Sequence, residues 1–163
     1  MKKIIFTLIT AAVLSACVQA QSHTATAQNT PMATQPSSVE RNKANVLDFY
    51  ELAFNQHKLQ EAVSKHIGAE YLQHNPTVAD GGQAFIDAFA PFLKSHPQSK
   101  ATVKRVAADG DLVWLHVHSQ MDDKDRGEAV VDIFRLDENG KIVEHWDVIQ
   151  AVPEKTESGR GMF

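Results

Sequence analysis

Asp132 is the residue best suited to acid–base chemistry, because it stands inside the apolar run VVDIF. A carboxylate is costly to bury unless it has a partner. In a β-strand, Asp132, Phe134 and Leu136 share one face. A carboxylate on a pocket wall can remove a proton from the carbon next to a carbonyl group. We therefore expect Asp132 to be a catalytic acid/base and Phe134 to line the pocket beside it.

His118, in the preceding apolar run, is the expected partner of Asp132. Trp114, His116 and His118 share one face of the run 112–121, because alternate residues of a strand point the same way. We expect His118 to orient Asp132 or to donate a proton to the developing enolate oxygen. Trp114 and His116 are expected to line the pocket, and a bulge would make His116 the inward partner instead. The same pair also fits a satisfied polar contact in a non-catalytic pocket.

A metal site is the weaker alternative for these histidines. His116 and His118, together with Asp132 or His74, offer the imidazole and carboxylate ligands that transition metals accept. Neither an HExxH nor a CxxC pattern occurs in the sequence. We expect no metal and no cofactor.

The turn of the last predicted hairpin decides which residue faces Asp132. A two-residue turn at Asn139-Gly140 would place Asp147 opposite Asp132. A three-residue loop, with Gly140 left-handed, would place Trp146 there instead. We favour the three-residue loop and Trp146 as a pocket residue, because two facing carboxylates repel each other.

The segment AEYLQHNPTVADGG carries the third candidate, His74. The run before it looks extended, and Asn75-Pro76 forces a turn. Asp80 is the expected N-cap of the helix that follows. His74 is expected to face Asp132 across the pocket opening as a catalytic residue, and the alternative is a loop-anchoring hydrogen bond.

Helical patterns precede strand patterns along the chain. Ser37 and Glu40 form a capping box before an amphipathic helix that runs to about residue 56 and brings Tyr50 to the pocket. A helix at about 59–67 and another ending before Pro97 follow. Four strand-like runs with short connections predict an antiparallel meander: 101–107, 112–121, 129–136 and 141–152. The expected architecture is α+β, with three helices over one face of the sheet.

Three motifs, YLQHNPTVADG, VDIFR and GKIVEHWDVIQAVPE, resemble in this order the SnoaL-like polyketide cyclase group of the NTF2-like superfamily. The similarity covers residues 46–154. The resemblance implies a cone-shaped fold with three helices on a curved antiparallel sheet of four or more strands, and a homodimer through the outer side of the sheet. It also implies aldol condensation without metal or cofactor. The family's cyclases use an aspartate with a histidine 14 residues earlier, a spacing that His118 and Asp132 match.

The first 36 residues are interpreted as a targeting signal followed by a flexible tether. A basic start, an apolar stretch of 11 residues at 4–14 and the sequence LSAC resemble a bacterial lipoprotein signal, with residues 1–16 removed and Cys17 lipidated. Residues 17–36 are uncharged and poor in large apolar side chains, which predicts a flexible tether before a domain at 37–163. By this resemblance the chain is expected to be exported and attached by lipid alone, at the outer membrane facing the periplasm.

Charge and missing motifs narrow the function. Without residues 1–16 the chain has 14 basic and 20 acidic residues, and it has no basic cluster, so a nucleic-acid partner is not expected. No GxSxG motif or phosphate-binding glycine pattern occurs. We expect acid–base catalysis of aldol, cyclisation or isomerisation type on a small apolar carbonyl compound. The alternative is a non-catalytic, small-molecule-binding lipoprotein.

Overall fold

The computed structural model of the protein describes residues 37–163. The predicted signal peptide, the Cys17 lipidation site and the tether up to residue 36 lie outside the described residues. Within 37–163, no helix has both the length and the apolar character needed to cross a membrane.

Three α-helices come from the first half of the domain. They are α1 (Ser38–Tyr50), α2 (Leu59–His66) and α3 (Gly82–Ser95). The Ser37 side chain accepts a hydrogen bond from the Glu40 N–H at the start of α1, which confirms the Ser37 half of the predicted capping box. The Glu40 carboxylate pairs with Lys43 instead of returning to Ser37. Directly after α1, one π-helical turn at Glu51–Asn55 continues the chain.

The cap predicted for α3 is wrong. Gly81 occupies the N-cap position, and no side chain caps the helix. Asp80 instead accepts a hydrogen bond from the Gln73 N–H at 2.8 Å. This bond ties the loop before α3 to the end of the preceding strand, which positions the side chains that follow Gln73.

A five-stranded sheet provides the surface on which the helices pack. Its strands are β1 (Ile67–Gln73), β2 (Lys100–Asp109), β3 (Leu112–Gln120), β4 (Glu128–Leu136) and β5 (Ile142–Ala151). Their order across the sheet is β1-β5-β4-β3-β2. The four later strands form the predicted antiparallel meander, and β1 adds a parallel partner to β5. The α+β prediction is therefore confirmed: three helices pack on one face of a curved, open sheet.

A bulge in the last hairpin sets the register of β5. The loop has the predicted three residues, since Asp137 pairs with Lys141 and Gly140 has a φ of 79°. Leu136 then pairs with Ile142, but Arg135 pairs with Glu144, so that Val143 is an extra residue on β5. The shift places Asp147, not Trp146, opposite Asp132, and the favoured register was wrong for this reason.

The core lies between the helices and the inner face of the sheet, the face that packs against them. Alternate residues of β3 and β4 supply the sheet side, and α1 supplies much of the helix side. The largest fully buried side chains are Phe49, Phe134, Leu115, Ile142, Val46, Val113 and Val117. The opposite side of the sheet is called the outer face below.

Candidate active site

A cavity of about 420 Å³ opens between the helices and the inner face of the sheet. This volume is within the range of small-molecule sites in proteins. Aromatic side chains from α1, the π-helical turn and α3 form its apolar wall: Phe49, Phe54, Phe85, Phe89 and Phe92. The polar lining residues are Tyr50, Tyr71, Gln73, Asn75, Thr77, Ser119, Glu128, Asp132, His145 and Asp147. The helix side of the cavity is therefore mainly aromatic, and most of the polar groups lie on the sheet side.

Asp132 lies on the cavity wall and is only 4% exposed. Its Oδ2 accepts a hydrogen bond from the Tyr50 hydroxyl at 2.7 Å. Its Oδ1 lies 3.0 Å from Nε2 of His145. The carboxylate thus has the partners that a buried charge requires, and lone pairs remain for a ligand because a carboxylate offers about four acceptor sites.

Tyr50 remains a hydrogen-bond donor to Asp132. Burial raises the pKa of Tyr50 well above its usual value, and the negative charge of Asp132 raises it further. The phenol therefore stays protonated over the physiological range. Because Tyr50 ends α1 at the start of the π-helical turn, the helix itself brings its hydroxyl to β4.

Gln73 fixes the tautomer of His145. Its Oε1 accepts a hydrogen bond from the Asn75 N–H at 2.9 Å and lies 2.8 Å from Nδ1 of His145. An amide oxygen only accepts, so the His145 Nδ1 must carry a proton. Without a further proton, Nε2 of His145 and the Asp132 carboxylate would both be acceptors. A second proton must therefore lie between them. The Asp132–His145 pair therefore holds one shared proton inside the cavity.

Asp147 is a second carboxylate on the inner face. Its Oδ2 accepts a hydrogen bond from the Asn75 side-chain amide at 2.7 Å. Ligand atoms of Asp132, His145 and Asp147 lie within 4.8 Å of one another, a spacing that a cation would need. In the described geometry, Nε2 of His145 is directed at Asp132 in a hydrogen bond.

The predicted pairing of Asp132 with His118 is wrong. Leu115, not a histidine, lies opposite Asp132 on β3, and it faces the core. Trp114, His116 and His118 alternate with Leu115 along β3 and therefore point to the outer face. Since side chains alternate along a strand, a shift of one residue in the register moves a side chain to the other face of the sheet.

On the outer face, the three β3 residues contact other groups. The His118 Nε2 lies 2.8 Å from the Arg126 carbonyl oxygen. The rings of His116 and His118 lie against the ring of Phe163, with centroids 5.4 and 4.4 Å away. Trp114 pairs with Ile133 in the ladder. None of these positions is on the wall of the cavity.

His74 and Trp146 also lie together outside the cavity, contrary to prediction. Their rings stack with centroids 4.8 Å apart, and His74 Nε2 is 2.9 Å from Glu144. The hydrogen bond from His74, and next that from Arg135, holds the pKa of Glu144 below its usual range. His74 is therefore an anchor between the loop and β5, which was the alternative interpretation.

Of the predicted site residues, the structure brings Asp132, Tyr50 and Phe134 to the cavity. The sequence interpretation missed His145, Gln73 and Tyr71, and it included Asp147 only through the less favoured register of the last hairpin. The sequence does contain a signal for Tyr71 and Gln73. They lie three positions and one position before His74 in an extended run, so they point to the face opposite His74 and are inward when His74 is outward. No comparable signal existed for His145, because the Val143 bulge sets its face.

Comparisons with known proteins agree with this architecture. The family model described as SnoaL-like domain matches residues 46–145. No curated protein matches the sequence significantly.

Several solved structures share the fold. A candidate polyketide cyclase from Bacillus cereus ATCC 10987 is 18% identical, with a TM-score of 0.58 over 68% of this chain and 74% of the other. An NTF2-like protein of unknown function from Mesorhizobium loti is 19% identical, with a TM-score of 0.57 over 72% of this chain and 97% of the other. A candidate isomerase of the SnoaL-like family from Agrobacterium tumefaciens str. C58 is 12% identical, with a TM-score of 0.56 over 71% and 100%.

These identities are low, so the solved structures support the fold alone. The family model covers more than half of the sequence and includes β3, β4 and the first part of β5, where Asp132 and His145 lie. The chain is a member of the SnoaL-like domain family.

Proposed function

We propose that the protein binds a small apolar carbonyl compound and catalyses proton transfer on it without metal or cofactor. The observation that carries this proposal is the buried Asp132, which holds a shared proton with His145 at the polar side of a largely apolar cavity. Neighbours in fold include proteins named as a candidate polyketide cyclase and a candidate isomerase, which is consistent with this chemistry.

The proposed reaction begins at the carbon next to the carbonyl group. A free lone pair of Asp132 takes the proton, and the electrons of the C–H bond move to the carbonyl oxygen to form an enolate. In an isomerisation, Asp132 returns the proton at another carbon. In an aldol reaction, the enolate carbon attacks a second carbonyl carbon, and the resulting alkoxide takes the proton from Asp132. Positioned acid–base groups of this kind accelerate reactions ~100- to 10,000-fold.

Deuterium exchange into 2-tetralone, a bicyclic apolar ketone, tests this proposal. In D₂O, the wild-type protein should accelerate loss of the α-proton NMR signals above the buffer rate. Asp132→Asn should return the rate to that of buffer while the circular dichroism spectrum is unchanged. Asp123→Asn, in an exposed loop, should retain the wild-type rate.

Two histidine variants distinguish His145 from His118 as the partner of Asp132. His145→Gln should lower the exchange rate roughly 100-fold, as expected for loss of a general acid–base group. His118→Gln should have little effect, because that imidazole lies on the outer face. Slow exchange in His118→Gln together with fast exchange in His145→Gln would contradict the assignment of His145.

A non-catalytic binding module is the second candidate. It is favoured because both oxygens of Asp132 and both ring nitrogens of His145 have a protein partner, which also suits a purely structural polar pair. In that case 2-tetralone would bind without exchange, and Asp132→Asn would change affinity alone.

We also propose that the outer face of the sheet contacts a second copy of the chain. Val131 and Val148 pair across β4 and β5 on this face and are 42% and 71% exposed. Trp146 extends the same apolar surface. The family resemblance favours a homodimer here. Light scattering should give a dimer for the wild type and a monomer for Val148→Lys, and a monomeric wild type would overturn this proposal.

We further propose lipid attachment at Cys17 and a location in the cell envelope, on the strength of the LSAC sequence after the apolar run. Mass spectrometry of the membrane fraction should find a chain that starts at a diacylated Cys17. Cys17→Ser should abolish the lipid mass. An intact amino terminus would contradict the proposal.

A further inference from the structure

The hydroxyl of Tyr71 is a polar group of the cavity wall that the proposed reaction has not yet used. Tyr71 is 3% exposed and lines the cavity together with Asp132. Its oxygen accepts a hydrogen bond from Nε2 of Gln73 at 3.2 Å. Within residues 37–163, no protein group accepts the hydrogen of this hydroxyl. Tyr50 differs, since its hydrogen is donated to Asp132.

The orientation of the Gln73 amide makes Tyr71 an acceptor from the protein. Oε1 of Gln73 receives the Asn75 N–H at 2.9 Å. Rotating the amide by half a turn would place its NH₂ group against that N–H, donor against donor. The NH₂ group must therefore face Tyr71. As an amide nitrogen does not accept, the Tyr71 hydrogen has to point away from Gln73.

We propose that Tyr71 donates the hydrogen bond that binds the carbonyl oxygen of the ligand, and that Gln73 is the positioning residue that keeps this hydrogen available to the cavity. The inference rests on the proposed function and names the group that receives the developing negative charge. Asp132 takes the proton from carbon, the C–H electrons move to the carbonyl oxygen, and Tyr71 stabilises that oxygen while it retains its own proton.

The surroundings of Tyr71 suit this role. Burial, with a further contribution from the charge of Asp132, raises the pKa of Tyr71 above its usual value. The phenol therefore remains a neutral donor. A donor fixed before the reaction and directed at the position where charge develops needs little reorganisation, and loss of one such donor typically lowers turnover ~100- to 1,000-fold.

A pair of matched probes tests the donor without requiring turnover. 2-Naphthol has its oxygen where the enolate oxygen of 2-tetralone would lie, and naphthalene has the same ring system without oxygen. Tyr71→Phe should weaken binding of 2-naphthol roughly fivefold, the effect of losing one ordinary hydrogen bond. Naphthalene affinity should not change. Fluorescence titration measures both.

Gln73→Glu tests the positioning role while Tyr71 is retained. The substitution keeps an oxygen for the Asn75 N–H and for His145, but it replaces the NH₂ donor by an acceptor. The Tyr71 hydrogen should then turn toward residue 73, and the probe selectivity should match that of Tyr71→Phe. Exchange of 2-tetralone should fall ~100-fold in both variants.

Equal losses of both probes, no loss of either, or failure of both probes to bind the wild type would overturn the proposal. Loss of exchange in Asp132→Asn with normal exchange in Tyr71→Phe would overturn it while leaving the proposed function intact. Absence of exchange in the wild type would overturn the proposed function, and the naphthol–naphthalene comparison would still decide the role of Tyr71.

Discussion

Asp132 and Asp147 lie directly opposite each other on β4 and β5, and both line the cavity. Each carboxylate has its own donors: Tyr50 and His145 for Asp132, and the Asn75 amide for Asp147. Facing like charges are unfavourable even when each is hydrogen-bonded. The facing carboxylates therefore repel each other and lower the stability of the fold.

Asp147→Asn should therefore stabilise the fold. The amide oxygen can still accept from Asn75, and one like charge is removed. We expect a gain of about 0.2–1 kcal/mol in the free energy of unfolding, the size of cross-strand charge effects. Urea denaturation measures it, with Asp109→Asn at the exposed end of β2 as the control. A clear destabilisation would show that the carboxylates do not repel.

Tyr50→Phe should destabilise the protein more than Tyr71→Phe. The first variant removes a donor from the buried Asp132, which costs about 1–3 kcal/mol. The second removes only an acceptor from Gln73, in a bond of 3.2 Å. Parallel denaturation of both variants gives the comparison. The reverse order would mean that Asp132 does not depend on Tyr50.

Stability should fall as the pH drops below about 6.5, and His66 should contribute to the fall. Burial lowers the pKa of His66 from its ordinary 6.5, although the hydrogen bond to Asp48 opposes this. His66 therefore binds a proton more readily in the unfolded chain than in the folded chain. The contribution is fully present above pH 6.5 and is lost as the pH falls through the folded pKa.

His66→Gln supplies the control for this pH dependence. The variant cannot titrate, so its unfolding free energy should change less between about pH 7.5 and 5.5 than that of the wild type. Lys65 and then His66 lower the pKa of Asp48, whose contribution belongs to the more acidic range below its ordinary 3.8. An unchanged slope in the variant would assign the acid sensitivity to other groups.

Deletion of Val143 should preserve the site, whereas deletion of Trp146 should disrupt it. Without Val143, Leu136 still pairs with Ile142 and Arg135 with Glu144, so Asp147 stays opposite Asp132. Without Trp146, Asp147 would move opposite Ile133 and turn to the outer face. We expect the first variant to keep cooperative unfolding and 2-tetralone exchange, and the second to lose one or both. Loss of exchange in the Val143 deletion alone would refute the assignment of Val143 as the extra residue.

The sequence by itself determined the class of the fold. The stripe that contains Phe49 and Tyr50 has helical period, and the runs around Leu115 and Asp132 have strand character with short turns between them. These are local properties, set by neighbours in the chain. The same locality identified Asp132, since a carboxylate within VVDIF has to be buried and partnered.

Only the tertiary structure decided which residues share the cavity with Asp132. The Val143 bulge places His145 and Asp147 inside and Trp146 outside, and the β3 register places His118 outside. The parallel pairing of β1 with β5 then brings Gln73 to His145. Such pairings depend on residues distant in sequence. Because side chains alternate with a period of two, a single inserted residue reverses the face of all that follow.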